Sequence, residues 1–409
     1  MTYGPIKIGL IEYGPFSYGP FRRGGVSKFV STWNTELTDA TASATKTIVL
    51  PMTAGPEVNW GDGNTDNLNT HVYSTSGIYE VAIDDTNTDF RFNNTGDKTK
   101  IIDVSQCNGL NVTNRDVFKR CDNLLWSATD APNITSTDLV GMFEGCEVLN
   151  GSGSFSTWDL SLCTNLTNMF FGCFDFLGNG IENWDVGSCS NFTQMFFAAH
   201  EIAAPIGVWD MSSATNIGGM FRSSNNFNQD VDAWDVSNVQ QMNHVFAGAN
   251  SFTYGLPSWD VGSVTTTHAM FSSNYNGDIT TWTFTSTIKD MSWMFSGNST
   301  FNQDISNWNV ASVTNMENMF NNASAFDQDL TGWNIGLVTN ISTMLNNCGL
   351  SQANYDAFLI MCEGQSVTSG LALGATGLTY SNAPAAGGVA RTNLTTVPQL
   401  WTITGDTGV

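Results

Sequence analysis

Apolar residues recur along most of this chain with a period near 25. Tryptophans at 158, 184, 209, 234, 259, 282, 308 and 333 are separated by 26, 25, 25, 25, 23, 26 and 25 residues. An aromatic follows each in fixed register, at Phe170, Phe196, Phe221, Phe246, Phe271, Phe295 and Phe320; Leu345 closes the series, and Phe118 and Phe143 extend it backwards. Ten turns over residues 101–349 are therefore expected. A fixed period of this length is the mark of a solenoid, whose units bury their apolar side only by stacking on their copies. Within one unit, Trp308, Val310, Val313, Met316, Met319, Phe320, Ala323, Phe326 and Leu330 are apolar, with Asn, Ser, Thr, Asp and Gln between them. Alternation at 308–310 predicts a short strand, and the 3-1-3 spacing over 316–323 predicts a short helical turn. Ten rungs at the usual strand spacing would make a curved rod about 50 Å long.

The cysteines follow the same register. Cys121, Cys146, Cys173 and Cys348 lie three residues after the register position, where Ala199, Ala249 and Ala323 stand in other turns. Cys107, Cys163 and Cys189 occupy a second slot, shared with Val239 and Val313. Both slots are small and interior, which suits free cysteine as a buried hydrophobe. In-register rungs hold Cβ atoms farther apart than the roughly 3.8 Å a disulfide prefers, so thiols are expected rather than staples.

The flanks break the period. Residues 1–26 form an arm with three Tyr-Gly-Pro units, at 3–5, 13–15 and 18–20. Fixed φ at proline and free φ at glycine exclude a helix there. The bland reading is a tail; the reading adopted is an attachment arm that uses Tyr3, Tyr13, Tyr18, Lys7, Arg22 and Arg23. Residues 27–100 predict a small β-sandwich, with strands in 45–52, 57–67 and 71–84. Residues 350–409 predict an α/β cap: a helix capped by Ser351 and running to Cys362, a second over 386–394 and a strand at 401–404. Such an end shields the last rung.

Composition narrows the function. Only 12% of residues are charged, yet the net charge is −23. Residues 1–28 carry Lys7, Arg22, Arg23 and Lys28 against Glu12, a balance of +3, which leaves −26 on the remainder. Beyond residue 120 the basic residues are Arg222, Lys289 and Arg391. Nucleic acid is therefore excluded as a partner, since phosphates need clustered cations. No run of 18 apolar residues predicts a membrane span, and the broken N-terminus does not read as a signal peptide.

Chemistry is sparse. The histidines are His71, His200, His244 and His268, and His244 and His268 fall in adjacent turns in offset registers, which argues against a metal pair. No metalloprotease, phosphate-loop or nucleophile-elbow motif is present. Asp159, Asp185, Asp210, Asp235 and Asp260 make a column, and Asp230, Asp304 and Asp329 a second set. Turn capping explains both. Ca2+ is the weak alternative, with Asp230, Asp304 and Asp329 as its candidates, because hard oxygens suit that ion. No catalytic or cofactor residues are assigned.

Two family resemblances add to this. The segment Val58-Asn59-Trp60-Gly61-Asp62-Gly63 with His71-Val72-Tyr73 and Gly77-Ile78-Tyr79-Glu80-Val81 resembles the polycystic-kidney-disease-like fold. That resemblance implies structural roles for Asp62 and His71. The repeated Trp-Asp-Val-Ser-Asn-Val (234–239) and Phe-Asn-Gln-Asp (227–230, 301–304) resemble the BspA-type leucine-rich-repeat-like surface proteins. The resulting fold expectation is mixed: a β-sandwich, then a leucine-rich-repeat-like β/α solenoid with an α/β cap. Three functions fit. The first is a non-enzymatic bacteriophage virion-surface protein, decoration or fibre, its arm docked on other particle proteins and its solenoid turned to a host protein or glycan. The second is a bacterial cell-surface adhesin, which the resemblance implies. The third is a glycan-cleaving enzyme drawing carboxylates from the columns. Lack of an export signal places the virion reading first, with homo-oligomerisation compatible with it.

Overall fold

The computed structural model describes residues 27–84 and 90–409. The attachment residues named from sequence, Tyr3, Lys7, Tyr13, Tyr18, Arg22 and Arg23, lie outside the described residues. The N-terminal unit contains β1 (Lys28–Asn34), β2 (Thr47–Val49), β3 (Val58–Asn59), β4 (Thr65–Asp66), β5 (Thr70–Val72) and β6 (Ile78–Asp84). Alternation in β1 puts Phe29, Ser31 and Trp33 inside, because successive side chains point to opposite faces. The repeats then open with β7 (Ile101–Gln106), β8 (Asn111–Val112), β9 (Leu125–Trp126) and β10 (Asn133–Ile134). β1 pairs antiparallel with both β6 and β7, so one six-stranded sheet, in the order β4-β3-β6-β1-β7-β9, crosses the boundary drawn from sequence at residue 100. β2 and β5 form a separate antiparallel pair. Lys100, fully buried, donates to the carbonyls of Ser43, Ala44 and Thr47 and to the Ser43 hydroxyl, and lies 3.4 Å from the buried Asp97. These bonds offset the desolvation of its charge.

From Asp138 onward, single parallel bridges join successive repeats: Asp138 to Asn165, then Asn191, Asn216, Gln241, Thr266, Asp290, Asn315 and Asn340. The strand expected at 308–310 is absent; the only bridged residue of that repeat is Asn315. The helical turn expected at 316–323 is absent too. There the N–H groups of Met316, Asn318, Phe320 and Asn322 donate to the carbonyls of Asn340, Ser342, Met344 and Asn346 in the next repeat, at 2.9, 3.0, 3.0 and 2.7 Å. The alternate N–H groups, of Met319, Asn321 and Ala323, turn back to Met316, Asn318 and Phe320 at 3.2, 3.1 and 3.0 Å. Every second peptide thus serves the ladder, and the others close tight turns. Such alternation needs left-handed residues, and Asn318 (φ 55°) and Asn322 (φ 61°) supply them. The same two slots hold Asn168 and Gly172, Gln194 and Ala198, Gly219 and Ser223, and Thr343 and Asn347. Glycine and asparagine tolerate that region best.

Inside the stack the register residues form columns. Phe246 lies 5.9 Å from Phe221 and 5.8 Å from Phe271, rings near parallel, and 4.0 Å from Phe252 of its own repeat. Trp209, Trp234, Trp259 and Trp282 follow at 6.4–6.5 Å. Their indole N–H groups donate one repeat back, as Trp234 does to Ile206 O at 2.9 Å and Trp259 to Val231 O at 3.0 Å. Buried indoles need such an acceptor. In several repeats the cysteine slot, or its neighbour, also carries a hydrogen-bond donor. Cys146 and Cys173 donate to Phe118 O and Phe143 O at 3.1 and 3.0 Å, and Ser273 and Asn298 make the same bond to Phe246 O and Phe271 O at 3.2 Å. All eight cysteines are free and buried.

After the last repeat come α1 (Gln352–Glu363), β11 (Ala372–Gly374), β12 (Thr379–Tyr380), α2 (Ala386–Thr395), β13 (Thr402–Thr404) and β14 (Thr407–Gly408). Ser351 caps α1 by accepting from Asn354 N–H. The two helices and the strand expected at 401–404, here β13, fall where the sequence places them. Leu345 and Asn347 donate to Gly374 O and Thr376 O at 3.0 and 2.7 Å, and Ala375 to Thr404 O at 2.9 Å. The cap is therefore two further layers of the same stack. Among the described residues α-helices appear only here, where an uninterrupted apolar face, Tyr355, Phe358, Leu359 and Cys362, replaces the asparagine and glycine slots. One buried cluster runs unbroken from Phe29 to Ile403.

Candidate functional site

The carboxylate columns are built by the turns. In each of Asp159, Asp185, Asp210, Asp235 and Asp260, Oδ1 accepts the N–H two residues on, from Ser161, Gly187, Ser212, Ser237 and Gly262, at 2.9–3.1 Å. Hydrogen bonds from the serine side chains, then from their N–H groups, hold Asp159, Asp210 and Asp235 below the usual carboxylate range. Asp230, Asp304 and Asp329 accept in the same way from Asp232, Ser306 and Thr331 at 3.1, 3.0 and 2.8 Å. Among the described residues no group of three or more His, Cys, Asp or Glu gathers as a metal site would require. The neighbouring amides form ladders of their own: Asn302 N–H donates to Asn276 Oδ1 at 2.9 Å, Asp327 N–H to Asn302 Oδ1 at 2.9 Å and Ser351 N–H to Asp327 Oδ1 at 2.8 Å.

The histidines divide. His71 Nε2 lies 2.8 Å from Asp62 Oδ2, and its ring stacks on Trp60 at 5.0 Å, while Tyr73 donates to Trp60 O at 2.9 Å. These contacts brace the N-terminal sheet. His244 and His268 do meet, rings 4.9 Å apart and tilted by 62°, in spite of their offset registers. His268 Nδ1 lies 2.7 Å from Ser292 Oγ, which donates to Asp290 Oδ1 at 2.6 Å. Burial, then the nearby Arg222 and His268, pulls His244 down to about 4, so it stays neutral near pH 7.

Beside this pair stands a residue the period did not single out. Trp293 is 40% exposed, whereas the other twelve of the thirteen tryptophans are at most 4% exposed. It occupies the left-handed slot two residues before the register aromatic, with φ 61°, where other repeats hold Asn168, Gln194, His244 or Asn318. The available signal was that slot: a bulky aromatic where small or amide residues recur. A groove of about 690 Å3 lies farther along, lined by Ala311, Thr331, Trp333, Asn334, Leu337 and Gln365. Gln365 ties its wall by donating to Trp333 O at 2.7 Å and accepting from Ile335 N–H at 3.0 Å. No helix among the described residues is long and apolar enough to cross a membrane.

No curated protein and no solved structure matches the chain. A family profile does, twice: that described as "Mycoplasma protein of unknown function, DUF285" covers residues 137–258 and 253–358. These spans coincide with the stacked repeats and cover more than half the chain, and on that ground the protein belongs to the DUF285 family.

Proposed function

We propose that this chain is a non-enzymatic display protein on the surface of a bacteriophage particle, a capsid decoration or a fibre. The arm at 1–26 docks on other structural proteins of the particle. The repeat stack, a leucine-rich-repeat-like solenoid of the BspA type, faces outward toward a host protein or glycan, and the unit at 27–100, resembling the polycystic-kidney-disease-like fold, spaces the two. The observation that carries the particle setting is the cysteine set: eight thiols, all free and all buried. That load suits folding and assembly in a reducing cytoplasm, before release with the particle. Display rather than catalysis is supported by the use of the carboxylates, which the turns consume one by one. The BspA-type adhesin of a bacterial cell surface is the second reading, favoured by the family match over the repeats. Immunogold labelling of particles and cells from the source culture separates the two. Labelled particles are expected; a labelled cell envelope beside bare particles overturns the first reading in favour of the second.

A further inference from the structure

We propose that Trp293 and the side chains in register beside it form a binding platform for an uncharged pyranose ring, a proposal that names the glycan contact of the outward-facing stack and rests on that reading. The indole is not needed by the fold. Trp293 N–H donates to Glu317 O at 2.8 Å, and its carbonyl accepts from Ser296 N–H at 3.0 Å, so the ladder alone dictates the left-handed backbone. A bulky residue is held there against its own preference. Among the described residues its ring stacks on no other ring and its indole N–H meets no acceptor, although buried indoles here are mostly hydrogen-bonded.

The surroundings select the ligand. The same slot one repeat back holds Ala269, a single methyl, and next to it His268 is held 2.7 Å from Ser292 Oγ. On the other side Glu317 accepts from Asn318 and Asn340 at 3.3 and 3.2 Å, and in the bridge position Asp290 accepts from Ser292 and Asn315 at 2.6 and 3.1 Å. These bonds fix both carboxylates yet leave lone pairs open. A pyranose ring offers an apolar C–H face to an aromatic surface and a rim of hydroxyl donors to such carboxylates. A protein partner fits less well, because interface cores are apolar and aromatic, and no other exposed large hydrophobic lies in the neighbouring segments 266–272 or 315–321. An anionic sugar fits less well too: Lys289, the basic residue beside the platform, directs its ammonium to Ser286 O at 2.8 Å and Ser312 O at 3.4 Å.

The test uses the full chain on an array of neutral oligosaccharides, followed by calorimetric titration of those that bind. Trp293→Asn installs the residue that the slot holds at 168 and 318, so the melting temperature should hold or rise while affinity falls at least tenfold. Trp293→Tyr should retain part of the affinity. As a second measurement that needs no variant, limited N-bromosuccinimide should oxidise one indole of the native chain and abolish binding, and saturating sugar should protect that indole. An array without neutral glycan binding, or titrations unchanged in Trp293→Asn, overturns the platform. Neither result touches the attachment of the chain to particles, which is tested separately.

Discussion

At the scale of the residue, register decides what a side chain experiences. Phe246 is 1% exposed and packed between Phe221, Phe252 and Phe271. Phe246→Ala should therefore cost about 3–5 kcal/mol, the usual range for truncating a buried phenylalanine, as read from chemical denaturation. A neutral result would place the ring outside the stack. The thiols make the matching prediction. Burial raises Cys163 and Cys189 to about 12 and Cys348 to about 11. Since the thiolate is the reactive form, thiol reagents at pH 8 should leave the native chain unlabelled and find eight groups after denaturation. These slots were legible in the sequence because a strict period forces equivalent residues into equivalent positions. What periodicity could not reveal was that the cysteine slot faces the carbonyl of the preceding repeat's aromatic, to which Cys146, Cys173 and Asn298 donate while Ala199, Ala249 and Ala323 merely fill the space.

At the scale of the element, the same apolar spacing admitted two backbones. The 3-1-3 pattern of Met316, Met319, Phe320 and Ala323 fits a helical turn, and equally fits linked i→i+3 turns whose alternate peptides reach the next repeat. Recurrent Asn and Gly at 168, 172, 219, 318 and 322 decide between them, since left-handed residues end helices. Asparagine and glycine were legible there as loop residues, and their pairing four apart was the unread signal. The turns also set the response to acid. Asp235 is held below its usual 3.8, chiefly by the Ser237 side chain. A carboxylate depressed in the folded state stabilises the fold above its unfolded pKa, and that contribution is lost as pH falls through the folded value. Asp159, Asp210, Asp278 and Asp304 are lowered likewise, so the loss should accumulate along the stack. The melting temperature should be flat from pH 7 to about 5 and then drop below about pH 4. Asp235→Asn keeps the turn, as Asn309 and Asn334 do in the same slot, and should make the drop shallower. A melting temperature unchanged down to pH 3 would show that these turns carry no linked stability.

At the scale of the whole molecule, charge and topology divide the chain differently. The core is continuous from Phe29 to Ile403, and the sheet runs across residue 100, so the N-terminal unit and the repeats should unfold together. Sequence reading separated them because the period starts there; pairing of β1 with β7 was invisible to it, since strand order is not written in hydrophobic spacing. The one division that survives is the charge boundary, +3 on residues 1–28 against −26 on the rest. It falls at the first residue of β1, where Lys28 pairs with Asp84. β1 is a central strand, held by β6 on one side and β7 on the other, so a cut inside it should unfold the sheet. A cut just before it should not. A chain starting at Val26 is therefore expected to melt at the same temperature as the full chain, yet to be missing from purified particles. On the proposed reading, the three lost Tyr-Gly-Pro units supply aromatic contact area and the lost cations the attraction to an acidic partner surface. Charge reversal separates these contributions. If Lys7, Arg22 and Arg23 are changed to Glu, the balance of residues 1–28 falls from +3 to −3, so attachment should weaken and added salt should then strengthen it, because screening would remove repulsion instead of attraction. Wild-type occupancy of the shortened chain on particles would refute the arm as the attachment device and move docking to the sheet at 27–100.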